Sequence, residues 1–253
     1  MKRLLAEIFV RFIGPLHSLF MKALAYGPWG PVHPLIIRVF AGLYKIHVPA
    51  DRHFKNLGHF FLRDMPFKDS GGSLVSPVEC LLIDGPRKLD SLPLTVKGIQ
   101  YQWKDFKELD LKEFSNGQFW NLYLAPYHYH WVHAACEGIN LRAIHIPGKK
   151  WPVNKLGRWL CPLLYLENER MTFSWEHPKF GRIYMICVAA MGVSNLHSEL
   201  GPVRSHEWTH LNVTVQKLQK LLAFRLGSTV LLLVERSNAS AKASPMLNVG
   251  DAL

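Results

Sequence analysis

From about Leu74 to Val234 the chain is written as short apolar runs separated by glycine, proline, asparagine and aspartate, and this punctuation limits it to folds built from many short strands. The candidate strands are Leu74–Ile83, Leu94–Trp103, Phe119–Leu124, Leu141–Ile146, Met171–Trp175, Arg182–Ala189 and Thr229–Val234. The first 63 residues have another texture. Leu4, Leu5, Ile8, Phe9, Phe12 and Ile13 recur at helical spacing, with Lys2, Arg3, Glu7 and Arg11 between them. Leu35, Ile36, Val39, Phe40 and Leu43 repeat the pattern. Runs of helix followed by runs of strand predict an α+β fold, a mostly antiparallel β core with helices segregated at the N-terminus. The expected division is a helical segment over 1–63, a β-rich core over 64–236 and a small, polar, loose tail over 237–253.

At 253 residues, 49% hydrophobic and 19% charged, the chain has material for a packed core and too little charge to be disordered. Its formal charge of +11 is uneven: residues 1–63 carry nine Lys/Arg against two acids. A basic, aromatic-rich, amphipathic helical segment suits an anionic membrane surface, with apolar side chains in the acyl boundary and Lys/Arg at the headgroups. It equally suits helices that cap a sheet, and periodicity leaves both open. Nucleic acid is not the expected partner, because the charge sits on greasy helices rather than on a recognition element.

No stretch reaches the roughly 18 uninterrupted apolar residues of a membrane span. Phe12–Met21 is broken by Gly14, Pro15 and His17, and Ala23–Ile37 by three prolines, two glycines and His33. Glu7 and Arg11 interrupt what a secretory signal would need, so secretion is not expected. Cys80, Cys136, Cys161 and Cys187 form no close pair, which argues against a disulfide framework or a thiolate zinc site and for a reducing compartment.

Three segments bear chemistry-capable residues. His206-Glu207-Trp208-Thr209-His210 fits a zinc-binding H-E-x-x-H pattern, but that pattern needs a helix. Gly201-Pro202 before it and Val213-Thr214-Val215 after it favour a surface loop. His128, His130 and His133 follow a strand and Pro126; His128 and His130 could share a metal, but a structural role is the default and no metal is assigned. Gly227-Ser228-Thr229 reads, taken alone, as a glycine turn entering a buried strand.

In order along the chain, however, these segments resemble the phosphatidylserine decarboxylase family, pyruvoyl-dependent enzymes that cut themselves at a Gly-Ser bond. Phe60-Phe61-Leu62-Arg63 is similar to the family's Phe-Phe-x-Arg, and Val96-Lys97-Gly98-Ile99-Gln100-Tyr101 to its Lys-Gly-x-x-Tyr element. Pro77-Val78-Glu79-Cys80 sits where the family has Pro-x-Asp-Gly. The run from Leu124 to His133 resembles its Leu-x-Pro-x-Asp-Tyr-His-x-x-His signature. Ile146-Pro147-Gly148, Val153-Asn154, Glu167-Asn168-Glu169-Arg170 and Leu226-Gly227-Ser228-Thr229 complete the series.

The resemblance implies that His133 takes the Ser228 hydroxyl proton, that the oxygen attacks the Gly227 carbonyl, and that an ester replaces the peptide bond. A carboxylate behind the histidine, Glu79 in this sequence, would fix its tautomer as in a serine triad. Elimination would free a chain ending at Gly227 and leave a dehydroalanine that hydrolyses to a pyruvoyl group at position 228. That group is an electron sink for decarboxylating phosphatidylserine to phosphatidylethanolamine, with His130 assigned to the decarboxylation step. The implied setting is a peripheral protein on the cytoplasmic face of an acidic phospholipid membrane, and a homodimer.

The sequence also departs from the family. Glu79 stands for the aspartate and Cys80 for its glycine; His128 replaces the signature's aspartate and Trp131 its arginine. Asp84-Gly85 keeps the Asp-Gly pair, but using it would slip the register by an odd number and reverse the face. Lys217-Leu218-Gln219-Lys220-Leu221-Leu222-Ala223-Phe224 lies where the family has Lys-Gly-Glu-Glu-x-Gly-x-Phe, which predicts helix in place of a glycine turn. These departures define the alternative, a relative that keeps the fold and binds lipid or a partner without cleaving itself.

Overall fold

A computed structural model of the chain describes residues 4, 6, 8–46, 48, 53–89, 94–96, 99–153, 155–191, 196–211, 213–224, 228–240 and 244–253. Gly227, Lys97-Gly98, Asn154 and Leu226, named above, lie outside the described residues. A π-helical turn at Phe9–Ile13 leads into α1 (Gly14–Tyr26), followed by α2 (His33–Tyr44) and α3 (Leu57–Phe61). The strands then begin: β1 (Cys80–Lys88), β2 (Leu94–Val96), β3 (Ile99–Tyr101), β4 (Gln118–Leu124), β5 (Trp131–His133) and β6 (Ile139–Ile146). Two short helices, α4 (Lys155–Leu160) and α5 (Leu164–Glu167), precede β7 (Arg170–His177) and β8 (Gly181–Ala189). The remaining strands are β9 (His197–Ser198), β10 (Thr209–His210), β11 (Lys220–Ala223), β12 (Ser228–Val234) and β13 (Met246–Leu247).

Eight strands form one sheet in the order β10-β6-β7-β8-β12-β4-β1-β13, every neighbouring pair antiparallel. The chain is α+β, as the sequence predicts. Strand β12 lies inside this sheet, paired at all seven positions with β4 on one side and β8 on the other. Both of its faces are covered. Val230, Leu232 and Val234 enter one core with Trp120, Leu122, Phe173 and Trp175; Leu231 and Leu233 enter the other with Phe119, Tyr184, Ile186 and Val188. That double burial is why the segment is continuously apolar instead of alternating. The first core is closed by a three-stranded sheet, β5-β11-β9, through Val132, Leu221 and Leu222. The second is closed by Trp103, Phe106, Phe114, Trp151, Leu160 and Leu164, and Phe9 stacks on Trp151 at 5.6 Å.

The helices have a core of their own. Ala25 of α1 and Ile37 and Ala41 of α2 pack on Leu57, Phe60 and Phe61 of α3. Asn56 caps α3 by accepting the His59 N–H at 2.9 Å. Gly58 lets the Tyr26 ring lie where a Cβ would otherwise be. The opposite faces of α1 and α2 are apolar yet bare: Leu16, Leu19, Phe20, Leu35, Val39 and Leu43 are all exposed, Leu43 at 76%. No described helix is long and apolar enough to cross a membrane.

Several expectations are corrected. The strand expected at Leu74–Ile83 begins only at Cys80 and runs to Lys88, because the Ser76-Pro77 turn interrupts it; Val75 makes an isolated bridge to Ala252. The segment expected at Leu94–Trp103 contains two three-residue strands, β2 and β3. Residues 217–224, expected to be helical, hold strand β11, since pairing with β5 and β9 outweighs local propensity. The tail expected to be loose over 237–253 is tied down at 237–240 and 244–253, its described residues: β13 pairs with β1, Leu247 and Val249 are buried, and Ala239 exchanges two hydrogen bonds with the Gln118 side chain.

Arg170, from the Glu167–Arg170 motif, is buried and grips Glu108 with two hydrogen bonds, Nε to Oε1 at 2.6 Å and Nη2 to Oε2 at 3.0 Å. This fork fastens the loop carrying Phe106 to the sheet. Glu108→Ala leaves a buried guanidinium without its counter-ion and is expected to cost about 3–5 kcal/mol, read by denaturant unfolding. A cost below about 1 kcal/mol would mean the pair adds nothing to the second core.

Candidate active site

The histidine segment connects β4 to β5. Its first turn closes on itself: the His128 N–H donates to the Ala125 carbonyl at 3.0 Å, and the Ala125 N–H to His128 Nδ1 at 3.1 Å. Strand β5 then pairs with β11, His133 opposite Lys220 and Trp131 opposite Ala223. The Phe224 N–H donates to the His130 carbonyl at 2.9 Å, so β11 is fastened beside the histidines just before residues 225–227.

Ser228 opens β12. Its Cα partners are Leu124, the last residue of β4, and Ala189, the last of β8. The serine therefore sits at the sheet end from which the histidine turn departs. It is fully buried, and its Oγ has no hydrogen-bond partner among the described residues. Asn168 steadies the neighbouring strand end: its amide donates to the carbonyls of Ala189 and Trp151, each at 2.8 Å, and its Oδ1 accepts the Trp151 N–H at 2.8 Å. In the Glu167–Arg170 motif, then, asparagine and arginine are architectural.

The three histidines differ in environment. His130 is fully buried with no partner for either ring nitrogen among the described residues, edge-on to Phe61 at 5.3 Å. Burial, with the Arg63 charge adding to it, brings its pKa down to about 3. The same causes bring His128 to about 4. His133 is lowered too, first by burial. Its Nδ1 lies 2.6 Å from the Leu218 carbonyl and its Nε2 3.1 Å from the Tyr129 hydroxyl.

Glu79 does not touch His133. It lies half-buried just before β1, and its Oε2 accepts the backbone N–H of Tyr129 at 2.8 Å. Burial raises its pKa against the opposing effects of that hydrogen bond and of Arg63. Arg63 is itself buried, donating to the carbonyls of Phe60 at 3.1 Å and Tyr127 at 3.0 Å. Its pKa is lowered by burial, against the Glu79 charge. A cavity of about 230 Å³ opens beside Glu79 and Tyr129, between Met65–Lys68 and the tail residues Asn248, Val249 and Asp251.

The departures are absorbed locally. Trp131 donates its indole N–H to the Leu62 carbonyl at 3.0 Å, and the Lys220 ammonium lies 4.3 Å over its ring while pairing with Asp64. Leu218, where the family has glycine, keeps a left-handed backbone at φ 65°. His206 also has positive φ, at 61°, and Thr209–His210 is strand β10, so the H-E-x-x-H residues do not share a helix face. Arg63, Tyr129 and Leu218 are site residues to which sequence reasoning gave no role. All three stand inside quoted segments, but nothing local marks the Leu218 carbonyl as the acceptor for the His133 ring.

A search of family models matches the phosphatidylserine decarboxylase model to residues 55–253. The chain belongs to this family. It is 28% identical to the phosphatidylserine decarboxylase proenzyme of Hamiltonella defensa subsp. Acyrthosiphon pisum, over 89% of this chain and 88% of the relative. The proenzyme of Methylibium petroleiphilum is also 28% identical, over 89% of this chain and 87% of the relative. That of Yersinia enterocolitica is 28% identical, over 85% and 82%. The family match begins at Lys55, beyond α1 and α2, so those two helices carry none of it.

The histidine environment sets the pH dependence of stability. A histidine whose folded pKa lies below its unfolded value of 6.5 binds protons more readily when unfolded. Its stabilising contribution is therefore full above 6.5 and is lost as pH falls through the folded values, about 4 for His128 and about 3 for His130. Tm is expected to drop as pH is lowered from 6.5 to 4, and His130→Asn to flatten that slope even if it lowers Tm throughout. An unchanged slope in His130→Asn would show that His130 is not the buried neutral group.

Proposed function

We propose that this chain cleaves itself between Gly227 and Ser228 and, once cleaved, decarboxylates phosphatidylserine to phosphatidylethanolamine at a membrane surface. The observation that carries the reading is the Ser228 hydroxyl, fully buried, without a partner among the described residues and fixed at the head of an interior strand. A buried hydroxyl left unsatisfied is costly, and a nucleophile waiting for the adjacent carbonyl gives it a reason. His133 is the proposed base, kept neutral by burial. Seven residues of β12 bonded on both sides would hold the new N-terminus in place after scission.

A pyruvoyl group formed from Ser228 fits the same place and would supply an electron sink for the loss of carbon dioxide. The chain's own residues would supply the protons. Burial keeps His130 neutral near pH 7. A substrate bearing phosphate and carboxylate charge beside it would raise its pKa and let it take up a proton to deliver after decarboxylation.

The membrane part of the proposal rests on the bare apolar faces of α1 and α2 together with the basic residues of 1–63. Exposed leucines and phenylalanines in such number suit an acyl boundary, and lysines and arginines suit anionic headgroups. The four cysteines are unpaired, in keeping with the cytoplasmic face.

Intact mass and denaturing electrophoresis test the first part. Purified protein is expected to give two pieces, 1–227 and 228–253, that stay together until denatured, the shorter one trappable with borohydride. Ser228→Ala and His133→Ala are expected to remain one inactive chain, while His130→Ala cleaves but decarboxylates at least a hundredfold more slowly. A single unmodified wild-type chain would reduce the assignment to a shared scaffold. For the second part, Leu16→Ser with Leu43→Ser is expected to weaken sedimentation with phosphatidylserine-containing vesicles by roughly tenfold or more, since each leucine removes apolar area from the contact. Unchanged vesicle binding would place the membrane surface elsewhere.

A further inference from the structure

We infer that His133 takes its tautomer and orientation from the Leu218 carbonyl and the Tyr129 hydroxyl, and that Glu79 acts at one remove, by anchoring the Tyr129 backbone. The inference deepens the self-cleavage reading and rests on it where rates are concerned. The argument begins with proton counting. A carbonyl oxygen has no proton to give, so the 2.6 Å contact requires His133 Nδ1 to carry one and donate it to Leu218. A neutral imidazole carries only one. Its Nε2 is then the bare acceptor, and the Tyr129 hydroxyl 3.1 Å away must donate to it. Both ring nitrogens are thereby assigned: the proton is on Nδ1 and the lone pair on Nε2, the tautomer a general base needs, with the Tyr129 hydroxyl the group that must yield that lone pair to the serine.

In a serine triad a carboxylate occupies the Nδ1 side. Here that place is taken by backbone, and the backbone is held firmly. The Leu218 N–H donates to the Ala134 carbonyl at 2.9 Å, and the Ala134 N–H to the Gln219 carbonyl at 2.8 Å. The Gln219 side chain accepts the Gln216 N–H at 2.9 Å, closing the turn that presents the carbonyl. The left-handed conformation of Leu218 is unfavourable for a residue with a Cβ, so the surrounding bonds are what keep it there.

Glu79 is brought close to this apparatus by the fold, but its carboxylate is engaged elsewhere than on the ring. The His133 N–H donates to the Pro77 carbonyl at 2.9 Å, which brings the segment alongside. The carboxylate then goes to the Tyr129 N–H, four residues before the histidine whose Nε2 the Tyr129 hydroxyl meets. Tyr129 is thus a positioning residue, fixed at its backbone by Glu79 and reaching His133 with its side chain. The site has exchanged a charged partner for a dipole, which stabilises an imidazolium less.

The decisive comparison is Glu79→Gln. An amide oxygen can still accept the Tyr129 N–H, whereas a triad carboxylate replaced by its amide loses roughly 10⁴-fold. Self-cleavage of Glu79→Gln, followed by intact mass after synthesis, is expected within about a hundredfold of wild type. A greater loss in a chain that folds would overturn the inference. Tyr129→Phe removes a hydrogen bond that favours the neutral ring, so the acid limb of the cleavage rate should move to higher pH. An unmoved limb would remove Tyr129 from the assignment. Independently of cleavage, ¹⁵N NMR of the uncleavable Ser228→Ala chain should show His133 protonated at Nδ1, with or without Glu79→Gln. A tautomer that changes with Glu79→Gln would overturn the inference, while failure of wild-type chain to cleave would overturn only the reading beneath it.

Discussion

The antiparallel pairing of β12 with β4 and β8, under apolar cover on both faces, is the constraint on which the site depends. Seven consecutive buried residues can be accommodated only where every backbone group is bonded laterally, and the sheet supplies those bonds on both sides. Ser228 inherits that rigidity as the first residue of the strand. Its hydroxyl is buried by the same packing that fixes its backbone and has no partner among the described residues.

Around that strand head, the charge balance is governed by desolvation. His128 and His130 are kept neutral by burial, and the buried Arg63 guanidinium reinforces the effect. Arg63 is held by two carbonyls and balanced at longer range by Glu79. Glutamate in place of aspartate does not simply lengthen a triad; it belongs to a rearranged set in which Tyr129 and Leu218 face the histidine. The substitution at Trp131 is compensated in the same neighbourhood, since Lys220 and Asp64 restore a cation and its partner above the indole.

The N-terminal helices join this centre through α3. Phe61 belongs to the helical core and also lies against His130, while Arg63 follows directly after that helix and reaches the histidine turn. One short helix thus contacts both the apolar helical layer and the buried polar site.

Much of this was legible in the chain itself. Helical period in the first 63 residues, short punctuated runs after Leu74 and the unbroken Val230–Val234 segment are local signals, because burial of one face or two writes its own pattern into sequence. The order of motifs from Phe60 to Ser228 likewise pointed to the family that the comparison found. What the sequence could not decide were contacts made across the fold. Residues 217–224 have helix-favouring side chains and form a strand because β5 and β9 offer partners. The polar tail is ordered because β1 has an open edge. Glu79 is spent on a backbone N–H fifty positions away, and the His133 tautomer is set by a carbonyl eighty-five positions away. Hydrogen-bond partners at such separation depend on strand register and on the space left by packing, and neither is encoded in the spacing of residues along one segment.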